Sequence, residues 1–136
     1  MRPVPAKILI ADDSPNILSF IQPALEREGY EVSLAADGAE ALYAWETRHP
    51  DLLILDIEMP EPNGLAVCRK IREAGDPVPI IFLTVRESVS DLELGFAMGA
   101  SDYVSKPFDV RELLARVKAR LPPEILTVGV FRDSSK

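Results

Sequence analysis

The sequence of 136 residues holds one cysteine, Cys68, one histidine, His49, and one tryptophan, Trp45. A single cysteine excludes an intrachain disulfide framework and a cysteine-built zinc site. A single histidine excludes a multi-histidine metal site, and any Ser-His-Asp triad would have to pass through His49. No stretch approaches the ~18 consecutive apolar residues of a membrane-spanning helix. Met1-Arg2-Pro3-Val4-Pro5 also lacks the apolar run of a signal peptide. A cytoplasmic location without membrane contact is therefore expected. Basic residues are in deficit, 15 against 22 acids, for a net charge of −7. That balance argues against nucleic acid as a partner, because phosphate contacts need a basic surface.

What remains is an ordinary globular mixture, 47% hydrophobic and 27% charged, in a length suited to one domain. A chain of this size buries roughly two thirds of its unfolded surface and folds without staples. Short apolar runs alternate with segments of helical period. The runs are Ile8-Leu9-Ile10-Ala11, Val32-Ser33-Leu34-Ala35, Leu52-Leu53-Ile54-Leu55, Ile80-Ile81-Phe82-Leu83 and Tyr103-Val104. Ile17, Ile21 and Leu25 recur four apart, and Leu113, Leu114, Val117 and Leu121 form a second helical stripe. Ser14-Pro15, Ser88 with Asp91, and Asp109 with Glu112 read as helix starts, the last two with capping-box spacing.

Five strands alternating with five helices predict an α/β fold with a parallel sheet covered on both faces. The first, third and fourth runs are apolar throughout, as strands buried on both sides are. Pro23 conflicts with this pattern: inside a helix it should kink the axis or cost ~3 kcal/mol. The periodicity stops near Leu121, so the expected domain spans residues 1–121. Pro122-Pro123 would end the last helix, leaving residues 122–136 as a linker or the start of a truncated output region. Thr127-Val128-Gly129-Val130-Phe131 could begin another strand there, although a plain tail is the simpler reading.

In open parallel sheets, ligands bind beyond the carboxyl ends of the strands. Strand 1 ends in Asp12-Asp13, strand 3 in Asp56, strand 4 in Thr84 and strand 5 in Lys106-Pro107. If strands 1 and 3 are neighbours, three carboxylates converge, and each pair of unit charges at ~5 Å repels by about 3 kcal/mol at an effective dielectric of ~20. Mg²⁺ would relieve that repulsion and bridge to phosphate oxygens. Lys106 adds a positive point charge, and the Thr84 hydroxyl can hydrogen-bond a phosphoryl oxygen. A carboxylate in this setting can act as a nucleophile and form an aspartyl-phosphate. Taken singly, Asp12-Asp13 would read as helix-capping acids and Lys106 as a solvated lysine. Cys68 reads as core filler, His49 as a surface residue and Trp45 as helix packing.

Together these motifs resemble the receiver domain of two-component response regulators. The resemblance runs from Lys7 to about Leu121 and rests on Ile8 through Asp13, Leu55-Asp56-Ile57-Glu58-Met59-Pro60, Gly64, Leu83-Thr84 and Lys106-Pro107-Phe108. It implies a flavodoxin-like, doubly wound five-stranded parallel sheet of order 2-1-3-4-5 with five helices. It implies that Asp56 accepts phosphate from a sensor histidine kinase or phosphotransfer protein. Asp12, Asp13, Asp56 and the Glu58 backbone carbonyl would hold Mg²⁺, while Thr84 and Lys106 would contact the phosphoryl group. Tyr103 falls at the aromatic switch position, where static packing is an equal alternative, and Lys106-Pro107 would be a cis peptide. The chemistry would be limited to self-phosphorylation and self-dephosphorylation. Phosphorylation would change the face made by the fourth helix, fifth strand and fifth helix, and so control an output domain or partner.

The sequence departs from the family pattern in several places. Val85 stands where a small residue usually follows the threonine, and Glu58 and Arg86 occupy the two positions that tune dephosphorylation. Paired across the site mouth, those two would hinder an attacking water, so a long-lived phosphorylated state is expected. Leu92, Ser101 and Pro123 replace charged residues of the usual dimer face, whereas Asp102, Glu112 and Arg116 remain. That weakens a homodimer through this face without removing it. A pseudo-receiver or binding scaffold is the alternative function. An aspartate-nucleophile phosphatase ranks lower, because its Asp-x-Asp pair would follow the first strand. A flavin carrier would need a Ser/Thr/Gly phosphate loop where Asp12-Asp13-Ser14-Pro15 stands.

Overall fold

The structure is a computed structural model that describes residues 4–85 and 99–121. Several sequence expectations lie outside those residues: the helix starting at Ser88 with Asp91, Arg86, Leu92, Pro122-Pro123, and the Thr127–Phe131 segment.

The sheet has five parallel strands in the order β2-β1-β3-β4-β5. These are β1 (Lys7–Ala11), β2 (Glu31–Ala35), β3 (Leu52–Asp56), β4 (Ile80–Thr84) and β5 (Asp102–Ser105). The described helices are α1 (Pro15–Arg27), α2 (Gly38–Arg48), α3 (Gly64–Glu73) and α4 (Val110–Arg120), the last being the fifth helix expected from the sequence. Central β3 and β4 are buried at every position and β1 at all but Lys7, whereas edge strand β2 is buried only at Ala35. Continuous apolar runs thus fall on strands covered from both sides.

Period-two alternation divides the core into two layers. Leu9, Ala11, Leu53, Leu55 and Phe82 face Ala41 and Ala44 of α2 and Val67, Cys68 and Ile71 of α3. Ile8, Ile10, Leu52, Ile54, Ile81 and Leu83 face Ile21 and Leu25 of α1 and Leu113 and Val117 of α4. Each Leu or Ile fully removed from water here contributes roughly 1.5–3 kcal/mol.

Ser14 caps α1, its Oγ accepting from Ile17 N–H at 3.4 Å, with Pro15 in the first turn. Pro23 is accommodated, since α1 runs unbroken from Pro15 to Arg27. Both Pro23 and Ser19, whose carbonyl loses its helical donor, are exposed, so water can satisfy that carbonyl. The expected capping box at Asp109 and Glu112 is only half formed. The Asp109 carboxylate accepts from Arg111 N–H at 2.8 Å, but Glu112 turns forward to pair with Arg116 at 3.2 Å. A closer approach to a box occurs at α2. There Asp37 accepts from Glu40 N–H at 2.8 Å, and Glu40 reaches back to Ala36 N–H at 2.7 Å.

Candidate functional site

Because β1 and β3 are adjacent and parallel, their carboxyl ends deliver Asp12 and Asp56 to the same edge of the sheet. β4 brings Thr84 beside them, and Lys106 follows β5, its backbone N–H donating to the Thr84 carbonyl at 2.7 Å. Asp12, Asp56 and Thr84 are buried, at 0%, 4% and 1% exposure. Asp13 points outward, yet one carboxylate oxygen from each of Asp12, Asp13 and Asp56 lies within 4.8 Å of the others. Glu58 is exposed and contributes its backbone to the site. The Lys106–Pro107 peptide is cis, and so is Glu61–Pro62, which the sequence reading did not anticipate.

Each buried acid is oriented by backbone. Asp12 Oδ1 accepts from Ser14 N–H at 2.8 Å, which ties the carboxylate to the start of α1. Asp56 Oδ1 accepts from Glu58 N–H at 3.1 Å. The remaining oxygens face Lys106, whose Nζ lies 2.9 Å from Asp12 Oδ2 and 3.5 Å from Asp56 Oδ2. Burial pushes the Asp56 pKa above the ordinary carboxylate value, and the Asp12 charge pushes it further. Lys106 and the Glu58 N–H pull it back without prevailing. For Lys106, burial opposes the charge, but the hydrogen bond to Asp12 and the negative charges of Asp56 and Asp12 outweigh it. Its pKa therefore sits above the usual lysine value. The site holds more negative charge than its lysine can neutralise, in a buried setting where carboxylate oxygens are the available ligands. That donor set fits a small, hard divalent cation.

The loop after Asp56 is held close by Gly64, since a Cβ there would overlap the Asp56 carbonyl oxygen. Gly64 N–H donates to the Ile57 carbonyl at 3.1 Å, and Asn63 caps α3 through Ala66 N–H at 2.9 Å. Tyr103 is half-buried against the α2–α3 layer. Val85 stands 56% exposed at the end of β4, and Arg86, its expected counterpart to Glu58, is outside the described residues. Phe20 on α1, 55% exposed, meets Phe108 at a ring-centre distance of 6.3 Å and adds an apolar rim beside Pro107. The sequence reading missed this pair, because nothing in the local pattern links positions so far apart.

Other single residues stand where the sequence reading put them. Cys68 is buried in the core, and burial raises its thiol pKa. His49 is an exposed left-handed cap of α2, and Trp45 packs on the core while donating to Asp76 at 2.7 Å.

Comparison with known proteins adds the following. Residues 8–118 match the family described as response regulator receiver domain. The alkaline phosphatase synthesis transcriptional regulatory protein PhoP of Bacillus subtilis is 46% identical over 115 residues, covering 85% of this chain and 48% of that protein. The response regulator MprA of Mycobacterium sp. (strain KMS) is 45% identical over 118 residues, 87% of this chain and 51% of that protein. The chain thus spans about half the length of the curated relatives it matches. Among solved structures, the chemotaxis response regulator CheY4 of Vibrio cholerae superposes with a TM-score of 0.82 at 34% identity, covering 87% of this chain and 100% of that one.

Proposed function

The chain belongs to the response regulator receiver domain family, and on that premise we propose that Asp56 is its phosphoacceptor. Receiver domains are regulatory units of phosphorylation-dependent signalling, with histidine kinases as partners. The observation that carries the proposal is the convergence of Asp12, Asp56, Thr84 and Lys106, from four separate strand ends, into one largely buried cluster.

An Asp56 carboxylate oxygen attacks the phosphorus of a phosphohistidine on a sensor histidine kinase or phosphotransfer protein. A P–O bond forms, the P–N bond breaks, and the imidazole leaves with the bonding pair and takes up a proton. Glu58 N–H holds the carboxylate in place during attack. Lys106 offsets charge on the transferred group, and the Thr84 hydroxyl donates to one phosphoryl oxygen. Asp12, Asp13, Asp56 and the Glu58 carbonyl are the residues that would hold Mg²⁺. When bound, Mg²⁺ neutralises the clustered carboxylates and draws off charge from the phosphoryl oxygens. Water later reverses the modification, and no other turnover is assigned to the chain.

The switch follows from Thr84 moving toward the phosphate, with Tyr103 turning in behind it. The phosphate thereby biases an existing equilibrium. The readout face comprises β5, α4 and the helix expected after Ser88, and it serves an output domain or partner protein in the cytoplasm. No described helix is long and apolar enough to cross a membrane. On this face Asp102 pairs within the chain with Arg116 at 2.9 Å and Arg120 at 3.6 Å, and Arg116 also pairs with Glu112. A homodimer using those charges would have to share or exchange these pairs. The receiver ends near Leu121 on this reading, with residues 122–136 a linker or the start of an output region. One relative, PhoP of Bacillus subtilis, is named as a transcriptional regulatory protein, which makes control of transcription the favoured output.

Incubation with a small acyl-phosphate donor and Mg²⁺, followed by intact mass, tests the proposal. One added phosphate in the wild type and none in Asp56→Ala is the expected result. No adduct with any donor would leave a pseudo-receiver or binding scaffold.

A further inference from the structure

The loop joining β3 to α3, residues 57–63, touches the site at one end and α2 at the other. Its Glu58 peptide orients Asp56 through the 3.1 Å hydrogen bond to Oδ1 and offers the carbonyl assigned above to the metal. Ile57 N–H is tied to the Leu83 carbonyl at 3.1 Å. At the far end, Gly38 opens α2 and is buried against Pro62. A Cβ on Gly38 would overlap the Pro62 carbonyl oxygen and stand 2.8 Å from Pro62 Cγ. The φ of Gly38 lies outside the left-handed region, so space, and not backbone freedom, is what glycine supplies there. The obstacle is backbone, which cannot swing aside as a side-chain tip can. Of the two partners the loop has the weaker hold, anchored in the core by Ile57 and Met59 alone. The N-terminus of α2 is held by the Asp37–Glu40 contacts and by Ala41 and Ala44 in the core, whereas Glu58, Pro60 and Glu61 are exposed.

We propose that Gly38 is a positioning residue of the phosphoacceptor site: by letting the 57–63 loop lie against α2, it sets the Glu58 peptide, and through it the Asp56 carboxylate and the metal affinity. The metal part of this rests on the reading of Asp56 given above. The geometric part stands by itself. Groups that orient metal ligands from behind are worth roughly tenfold or more in metal affinity, and Gly38 acts at that remove.

The test measures Mg²⁺ affinity and the amide resonance of Glu58 in the 136-residue chain carrying Gly38→Ala. A Mg²⁺ dissociation constant raised roughly tenfold and a displaced Glu58 resonance are expected. Gly29→Ala is the control for lost stability. Its φ of +93° penalises any side chain, yet nothing lies within 4 Å of the added carbon. That variant should melt earlier while leaving both readouts unchanged. Pro62→Ala removes the ring carbon on the other side of the contact but keeps the carbonyl oxygen, the nearer obstacle, so Gly38→Ala should displace the Glu58 resonance in the Pro62→Ala background as well. If Gly38→Ala does not fold, Pro62→Ala alone is expected to move the Glu58 resonance and weaken Mg²⁺. Wild-type Mg²⁺ affinity in Gly38→Ala, equal weakening by Gly29→Ala, or an unmoved Glu58 resonance would each overturn the proposal. If wild type itself binds no Mg²⁺, the functional reading fails, and the Glu58 resonance still decides whether Gly38 positions the loop.

Discussion

The two ends of the sheet treat their acids differently. At the amino ends of the strands Asp51 and Asp76 are each matched by nearby donors. Asp51 accepts from Lys7 N–H at 2.7 Å, and Asp76 accepts from Trp45 Nε1 at 2.7 Å and Val78 N–H at 3.0 Å. Arg72 closes the same end by donating to the Gly99 carbonyl at 2.9 and 2.6 Å and to the Asp76 carbonyl at 2.8 Å. At the carboxyl ends, Asp12, Asp13 and Asp56 crowd within 4.8 Å around a single lysine. One end is satisfied and holds the architecture; the other is kept under electrostatic tension that a cation and a phosphoryl group can exploit. The arrangement is the usual trade of stability for function, confined to one edge of the molecule.

The sharpest way to break this comparison is to remove the cation from the tense end. Lys106→Met leaves two buried carboxylates without their shared partner, and breaking a buried pair from one side costs about 3 kcal/mol. Urea denaturation at neutral pH should show that loss. A variant as stable as wild type would mean that Lys106 does not hold the site together. Arg72→Ala is next. It strips the Gly99 carbonyl and should cost about 2 kcal/mol, while phosphate uptake at Asp56 stays at the wild-type rate. A matching fall in phosphate uptake would show that the two ends are coupled and not divided in role.

These residues also mark what the sequence could and could not reveal. Asp12, Asp56, Thr84 and Lys106 were legible because each follows an apolar run, and a parallel sheet carries all such run ends to one edge. The two layers were legible from the same runs. Whether Asp12 or Asp13 faces inward was not, because both are the same residue at adjacent positions and only the turn into α1 decides. Arg72 with Gly99, Trp45 with Asp76, and Gly38 with Pro62 were invisible for a different reason. Each joins loops or helix ends more than twenty positions apart, where no periodicity operates. The Asp109–Glu112 spacing misled in part, since Arg116 one turn on competes for the glutamate and wins.

Removing charge from the tense end should have the opposite sign to removing its lysine. Burial and Asp12 hold the Asp56 pKa above its ordinary value of 3.8. A carboxylate raised in this way binds its proton more tightly in the folded state, so its contribution to stability falls as pH climbs from 3.8 through the folded value. Asp56→Asn removes that slope. At neutral pH it should be more stable than wild type by on the order of 1 kcal/mol, because the lost Lys106 contact offsets part of the ~3 kcal/mol repulsion. Below the ordinary carboxylate value the two proteins should converge. Equal stability at every pH would show that the cluster carries no tension.

The smallest effect concerns access to the tense end and not its charge. Val85 stands exposed one residue beyond Thr84, a position from which its branched methyls would narrow the approach to Asp56. Val85→Ala would open that approach without touching Asp12, Lys106 or the core. Stability should be unchanged, since a half-exposed valine contributes little burial. Loss of phosphate after the donor is removed should quicken by roughly two- to fivefold, under 1 kcal/mol of barrier. The direction separates two accounts of a stable phosphorylated state. If steric shielding sets the lifetime, the alanine variant loses phosphate faster. If wild type loses phosphate at the same rate or faster than Val85→Ala, the lifetime is set by how the site holds the phosphoryl group, and control returns to Thr84, Lys106 and the clustered acids.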